Sequence, residues 1–194
     1  MPEDILQTEC QVQTTFRYRC LGGLMVFLVC FCSSARGVED PKAVVLRFCE
    51  LDGTAARMSS TLPESPKLWA LTAGEGEPPA EPILIVSGCQ AAIISGDSSH
   101  ADVRVTYQVT GQMEPVEFGF ALIRKRQDET VVFSLKRTAA GWRILRSSLS
   151  FPPHVTEPGI RRYFRARIRE KSISEQQKRN LMDILKQLAP AWPG

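Results

Sequence analysis

Side chains that could carry acid–base chemistry are few in this 194-residue chain. His100 follows a Gly-Asp-Ser-Ser turn and His154 follows Pro152-Pro153, so we expect both imidazoles to be solvated in loops. Asp102 and Glu117 alternate with apolar residues and should point away from the core, where they could act as bases only if that face lined a pocket. No Ser-His-Asp order, glycine-rich phosphate loop or paired-carboxylate signature is present. The sequence therefore assigns no catalytic residue.

Cysteine chemistry is confined to two positions once the N-terminal region is set aside. Six cysteines occur, and four of them lie at or before an N-terminal apolar run: Cys10, Cys20, Cys30 and Cys32. Cys49 and Cys89 remain, either as a disulfide or as two separate buried thiols. The two cysteines are forty residues apart and only two histidines could join them, so we expect no metal site.

The apolar run is the strongest targeting signal in the chain. Leu21–Cys32 is apolar, Arg17 and Arg19 precede it, and Ser33-Ser34-Ala35 follows it with small residues. A basic segment, a short apolar segment and a small-residue end are typical of a secretory signal peptide. The run is shorter than the roughly 20 residues of a membrane-spanning helix. Residues 1–35 are therefore predicted to be a signal peptide or, alternatively, an uncleaved anchor, with the remainder exported to the periplasm or the cell exterior.

The charge balance argues against nucleic acid as a partner. The chain has 24 basic and 21 acidic side chains, and without the two arginines and three acids of residues 1–35 the balance is 22 to 18. This net charge of +4 is too mild for a nucleic-acid-binding protein. Basic residues do crowd the C-terminal region: Arg161, Arg162, Arg165, Arg167, Arg169, Lys171, Lys178 and Arg179. They form either a solvated helix face or a contact with an anionic membrane or partner surface.

The hydrophobic period changes from helical to strand-like and back along the chain. Asp40-Pro41 supplies an N-cap and a first-turn proline for a helix whose apolar stripe is Val44, Val45, Phe48 and Leu51. A short helical piece is predicted at 67–71 and a loop at 74–82. A basic helix over 157–170 and a last helix from a Ser172–Glu175 capping box to Leu188 close the chain.

Between these helices the sequence predicts an antiparallel meander. Segments with strand-like alternation cover 83–94, 101–109, 118–122, 131–135 and 142–145. Ser87-Gly88 should form a bulge, the charged stretch 124–129 should separate two strands, and Pro152-Pro153 should end the sheet. The connections are short, which favours antiparallel neighbours and an α+β fold.

Two segments give the chain a family resemblance. The opening helix Pro41–Leu51 and the ending Val131–Ile144, with its Gly141-Trp142-Arg143-Ile144 strand, resemble the nuclear transport factor two-like family, exported bacterial type, also called cystatin-like or cone folds. The resemblance covers about residues 40–150. It implies N-terminal helices packed in a strongly bent antiparallel sheet, with an apolar pocket at residues 36–155. Residues 156–194 would then be a basic helical extension, which departs from the family pattern.

The resemblance leaves several functions open, because one fold serves many. The first is a non-enzymatic domain that binds a small apolar ligand or a protein, without a cofactor. Its pocket would be lined by aromatic residues that could equally belong to the core: Trp69, Tyr107, Phe118, Phe120, Phe133 and Trp142. The second is an isomerase- or dehydratase-like enzyme using Glu117 or Asp102 with Tyr107. The third is an envelope assembly domain that docks through its basic C-terminal helices. Homodimerisation is implied by the resemblance only, and membrane contact is expected only through an uncleaved signal or the basic helix.

Overall fold

The computed structural model describes residues 40–188, in which a strongly curled six-stranded sheet and four α-helices form a mixed α+β structure. The strand order across the sheet is β1-β5-β4-β3-β2-β6. The predicted signal peptide at 1–35 lies outside the described residues. The elements in chain order are α1 (Pro41–Gly53), α2 (Ser65–Trp69), β1 (Thr72–Ala73), β2 (Ile83–Gly96), β3 (His100–Val116), β4 (Gly119–Thr138), β5 (Gly141–Leu145), a 3₁₀ turn (Arg146–Ser148), β6 (His154–Thr156), α3 (Glu157–Ile168) and α4 (Glu175–Gln187).

Strands β2 to β5 pair as consecutive antiparallel neighbours, which confirms the predicted meander. The pairing of β2 with β3 shifts on both sides of Val86, at the predicted bulge. The prediction of separate strands at 118–122 and 131–135 was wrong, because β4 continues through the charged stretch and pairs with β3 along its length. The charges at 124–128 are exposed, so the strand can carry them.

The sheet has two short parallel edges that the sequence did not reveal. β1 pairs with β5, and β6 pairs with β2. Pro152-Pro153 therefore does not end the sheet, contrary to the prediction, because His154–Thr156 returns to it as an edge strand. Proline is tolerated beside an edge strand, where one side of the backbone needs no ladder hydrogen bond.

Helix α1 packs on the concave face of the sheet and forms the main core. The Asp40 carboxylate accepts the Lys42 backbone N–H at 3.1 Å, which confirms the predicted N-cap. The apolar stripe of α1 meets residues of β2, β3, β4 and β5, including Val105, Phe133 and Ile144, which are fully buried. These contacts hold the helix in the curl of the sheet.

Helices α3 and α4 cover the opposite face of the sheet near the start of β2. Ile83 and Ile85 alternate with Leu84 and Val86 and face a second core formed largely with the two helices. Leu181, Ile184 and Leu188 of the predicted stripe are buried there. The capping box is formed by Ser174 and Gln177, so its prediction at Ser172–Glu175 was two residues early. Among residues 40–188, no helix is long and apolar enough to cross a membrane.

Candidate functional site

A cavity of about 350 Å³ opens between α2, the loop after β1 and the end of β5. We call it the arginine cavity. Its volume falls within the usual range for small-molecule sites. Its lining combines two guanidinium groups, an indole ring, two prolines and one exposed carboxylate: Arg57, Trp69, Gly76, Glu77, Pro78, Pro79 and Arg146.

The parallel edge strand positions the two main lining residues. Thr72 pairs with Ile144, which places the end of α2 beside the residues that follow β5. The Thr72 hydroxyl donates to the Trp69 carbonyl at 2.9 Å and accepts the Arg146 Nε–H at 3.0 Å. One hydroxyl therefore fixes both the Trp69 backbone and the Arg146 side chain.

The loop at 74–82 forms the outer wall of the cavity. Gly76 has φ +136°, a conformation open mainly to glycine, and lies close to the Arg146 backbone. Pro78 and Pro79 follow it and stiffen the wall, because the proline ring fixes φ. The sequence correctly predicted a loop here, but gave no indication that it covers an arginine.

Arg146 carries the free positive charge of the cavity. Its guanidinium lies over the Trp69 ring, 5.1 Å from the ring centroid. Nε is used by Thr72, whereas the two terminal NH₂ groups donate to no acceptor within residues 40–188. A planar fork of unpaired donors suits a carboxylate, which it can hold through two parallel hydrogen bonds.

Arg57, in contrast, is committed to the protein. Its side chain is 1% exposed and it donates to both Asp52 oxygens, from Nε at 2.8 Å and from Nη2 at 2.7 Å. It also donates to the Phe151 and Pro152 carbonyls, at 3.1 and 2.8 Å. This guanidinium closes the inner end of the cavity as one half of a buried ion pair.

A buried polar network continues behind Arg57. The Asp52 carboxylate also accepts the His154 backbone N–H at 3.0 Å, and the His154 ring stacks on Tyr107 at a centroid distance of 3.7 Å. His154 Nε2 lies 3.2 Å from Glu129 Oε2, and Nδ1 is buried without a hydrogen-bond partner in the described residues. Burial lowers the pKa of His154, which opposes its protonation, although Asp52 and Glu129 act in the opposite direction. The expectation of a solvated His154 was therefore wrong, whereas His100 is exposed as expected.

Cys49 and Cys89 are free thiols in the structure. Cys49 lies on α1, buried, with its Sγ 3.1 Å from Tyr107 Oη. Cys89 lies on β2 directly opposite Tyr107 in the strand register and is half-buried. The two thiols are close enough for each to shift the pKa of the other.

The aromatic residues predicted as ligand lining do not share one cavity. Trp69 lines the arginine cavity, whereas Tyr107 is buried in the main core. Phe120 lines a second cavity, of about 250 Å³, against α3 and α4, and Phe118 is exposed near the hairpin turn beside it. Trp142 is buried on β5 and lines a third cavity, of about 350 Å³, near the start of α1.

The two carboxylates considered as bases are separated from Tyr107. Asp102 lies on the opposite face of β3 and accepts hydrogen bonds from the hydroxyls of Ser95 and Ser134, at 2.9 and 2.8 Å. Glu117 is exposed at the turn between β3 and β4. The structure thus gathers no acid–base pair around Tyr107 from these residues. Within residues 40–188, no three histidine, cysteine or carboxylate side chains converge on a metal position.

Neighbouring acids pair with part of the positive charge of the basic C-terminal helices, whereas Arg165, Arg169, Lys171 and Arg179 have no ion-pair partner within residues 40–188. Ion pairs link Arg161 to Glu157, Arg162 to Glu64, Arg167 to Glu170, Lys178 to Glu175 and Lys186 to Asp183. The apolar sides of α3 and α4 are buried against the sheet. Residues 157–188 carry nine basic and four acidic side chains, so these helices keep a net positive charge.

Sequence reasoning missed Arg57 and Arg146 as site residues. The spacing of Asp52 and Arg57 around the end of a predicted helix was a usable signal for the ion pair. Nothing local indicated that Arg146 would meet Trp69, because 77 residues separate them in the chain. No family model matches the chain, and the searches of curated proteins and of solved structures gave no match either.

Proposed function

We propose that this chain is an exported, non-enzymatic domain that binds a small amphipathic anion in the arginine cavity. The ligand has an apolar or aromatic body and one carboxylate. The observation that carries the proposal is Arg146, whose terminal NH₂ groups are unpaired while its guanidinium is held on Trp69. This refines the apolar ligand expected from the sequence by adding an anionic group.

Support for a cone domain of the nuclear transport factor two-like type comes from sequence and architecture together. The quoted segments at 41–51 and 131–144 form α1 and the β4–β5 hairpin. Helix α1 lies in the curl of a mainly antiparallel sheet, as in a cone. Export is proposed from the Leu21–Cys32 pattern and its flanking residues alone.

The cavity offers both parts of a recognition site for such a ligand. An aromatic or apolar body would lie between the Trp69 indole and Pro78-Pro79, which exclude water from it. The carboxylate would accept hydrogen bonds from Arg146. Because that guanidinium is already oriented by Thr72 and Trp69, little side-chain entropy is lost when a ligand binds.

Binding is favoured over catalysis by the chemistry of the lining. The cavity has one carboxylate, Glu77, on an exposed loop position, and two guanidinium groups, which donate hydrogen bonds but accept none. Arginine orients and neutralises an anion but is a poor proton acceptor. The lining thus fits retention of an anion better than proton transfer.

Isothermal titration calorimetry with matched ligand pairs tests the proposal. Indole-3-acetate and benzoate would be titrated against the full chain beside their neutral amides. The carboxylates should bind and the amides should bind at least about 10-fold more weakly, because a hydrogen bond to a charged group contributes about 1.5–3 kcal/mol. Equal binding of acid and amide, or no binding of either, would refute it.

Three variants localise the site. Arg146→Gln should weaken carboxylate binding by about 10- to 150-fold, and Arg146→Lys should retain part of it as a point charge. Arg143→Gln is the matched control. Arg143 also lies on β5, but its guanidinium donates to the Trp142 backbone carbonyl and does not line the cavity. An Arg143 variant as weak as the Arg146→Gln variant would mean that net charge, not this cavity, drives binding.

A further inference from the structure

The two thiols and one phenol form a cluster that the ligand site does not use. Cys49, on α1, contacts the Tyr107 hydroxyl at 3.1 Å, and Tyr107 is the cross-strand partner of Cys89. The three side chains therefore meet on the concave face of the sheet, where helix and strands are packed together. We call these residues the thiol cluster.

The two cysteines differ in access to solvent. Cys49 is 7% exposed and belongs to the main core, whereas Cys89 is half-buried at the margin of that core. A small reagent can reach Cys89 first. Cys49 is buried beside Tyr107, the cross-strand partner of Cys89, and the two thiols are close enough for each to shift the pKa of the other.

The more exposed of the two thiols, Cys89, is also the more acidic. Interaction with the Cys49 thiol lowers the pKa of Cys89 to about 7, despite the opposing effects of burial and of Glu50. Interaction with Cys89 and burial raise the pKa of Cys49. In thiol–disulfide exchange, a partly exposed thiolate attacks the disulfide first. A protonated buried thiol beside it can then resolve the mixed disulfide.

We propose that Cys89 is a reactive thiol that exchanges with low-molecular-weight disulfides, and that Cys49 resolves the product. The Cys89 thiolate attacks one sulfur of the disulfide, forms a mixed disulfide and expels one thiolate, which takes a proton from water. Cys49 then loses its proton to solvent, and its sulfur attacks the Cys89 sulfur and expels the second thiolate. Two protein thiols are oxidised to one Cys49–Cys89 disulfide, and one small disulfide is reduced to two thiols.

The Tyr107 hydroxyl contributes to the second step by position. Its hydrogen bond holds the Cys49 sulfur toward β3, beside the strand that carries Cys89. Hydrogen bonding to Tyr107 also favours the Cys49 thiolate, opposing the larger effects that raise its pKa. The proposal is independent of the ligand site, because no residue of the thiol cluster lines the arginine cavity.

Peptide-resolved alkylation of the full chain is the first test. With limiting iodoacetamide, Cys89 should be labelled at least 10-fold faster than Cys49, and its rate should rise with a midpoint near pH 7. In Cys49→Ala that midpoint should move upward by at least one pH unit, because the hydrogen bond that lowers the pKa of Cys89 is gone. Equal labelling of the two cysteines, or a Cys89 midpoint at or above 8.5, would overturn the proposal.

Exchange with 2-hydroxyethyl disulfide is the second test. Wild-type protein should give the Cys49–Cys89 cross-linked peptide, Cys49→Ser should stop at a mixed disulfide on Cys89, and Cys89→Ser should give no adduct on Cys49. Circular dichroism checks that the serine variants fold. If a serine variant does not fold, the ratio of the Cys89 and Cys49 alkylation rates in wild-type protein tests the proposal instead. A wild-type protein that forms neither the adduct nor the cross-link would refute the proposal.

Discussion

Replacing Asp52 by asparagine should destabilise the domain more than any other change of one carboxylate considered above. The side chains of Asp52 and Arg57 are 0% and 1% exposed, and the pair is bidentate. Asp52→Asn leaves the Arg57 cation buried without its anion and turns an amide donor toward the donors of Arg57 and His154. Breaking a buried pair on one side costs about 3–5 kcal/mol.

The loss is large enough for ordinary denaturation experiments. For a domain of this size, each kcal/mol lowers Tm by about 2–4 °C, so the variant should melt about 6–20 °C below wild type. Urea titration followed by tryptophan fluorescence measures the free energy of unfolding directly. Asp102→Asn is the matched control: this half-buried carboxylate accepts two serine hydroxyls and has no buried cation beside it, so its loss should be about 1 kcal/mol.

A double variant separates the orphaned charge from the lost contacts. Asp52→Asn with Arg57→Met removes both members of the pair, so it should lose less stability than the two single variants added together. The reasoning fails if Asp52→Asn costs no more than Asp102→Asn. It fails equally if the double variant is strictly additive, because the two side chains would then not be energetically coupled.

Two further predictions concern the contact of α3 with α1 and the buried histidine. A methyl group on Gly159 would clash with the Gly53 carbonyl oxygen, so Gly159→Ala should lower the free energy of unfolding by about 1–3 kcal/mol in urea titration. Gly88→Ala is the control and should cost clearly less, because the nearest atom to its added methyl group would be 3.8 Å away. Equal losses in the two variants would contradict the close approach of α3 to α1. The pKa of His154 is lower in the folded than in the unfolded chain, so the unfolded chain binds more protons below about pH 6.5. The free energy of unfolding should therefore fall as the pH decreases below about 6.5, by up to about 1.4 kcal/mol per pH unit. His154→Gln should flatten that dependence between pH 7 and 5, and an unchanged slope would assign it to other groups.

Much of the fold was predictable because it depends on local patterns. The N-cap at Asp40, the bulge beside Gly88 and the antiparallel meander follow from residue type and period. The continuous β4 was missed because its charged residues are exposed while its backbone still pairs with β3. The three-residue β6 was missed because only its partner β2 makes it a strand.

The candidate sites depend on contacts between distant segments, which a single sequence does not reveal. The sequence singled out Trp69 as an aromatic residue, but its partner Arg146 is fixed by the parallel pairing of β1 with β5. In the same way, His154 looked solvated because it follows two prolines, yet the parallel edge strand places it on Tyr107. Both misses come from the parallel edges of the sheet, which carry no period of their own.

The ion pair behind the cavity also limits which ligand the cavity can accept. Since Asp52 neutralises Arg57, the lining retains one uncompensated guanidinium, Arg146, and one exposed carboxylate, Glu77. Arg146 matches the single charge of a monoanion. The second charge of a dianion would either be repelled by Glu77 or lose its hydration without gaining a protein partner, and both effects weaken binding. We therefore expect monocarboxylates to bind better than dicarboxylates of similar size. Glu77→Gln should narrow that difference, because it removes the repelling charge and leaves Arg146 in place.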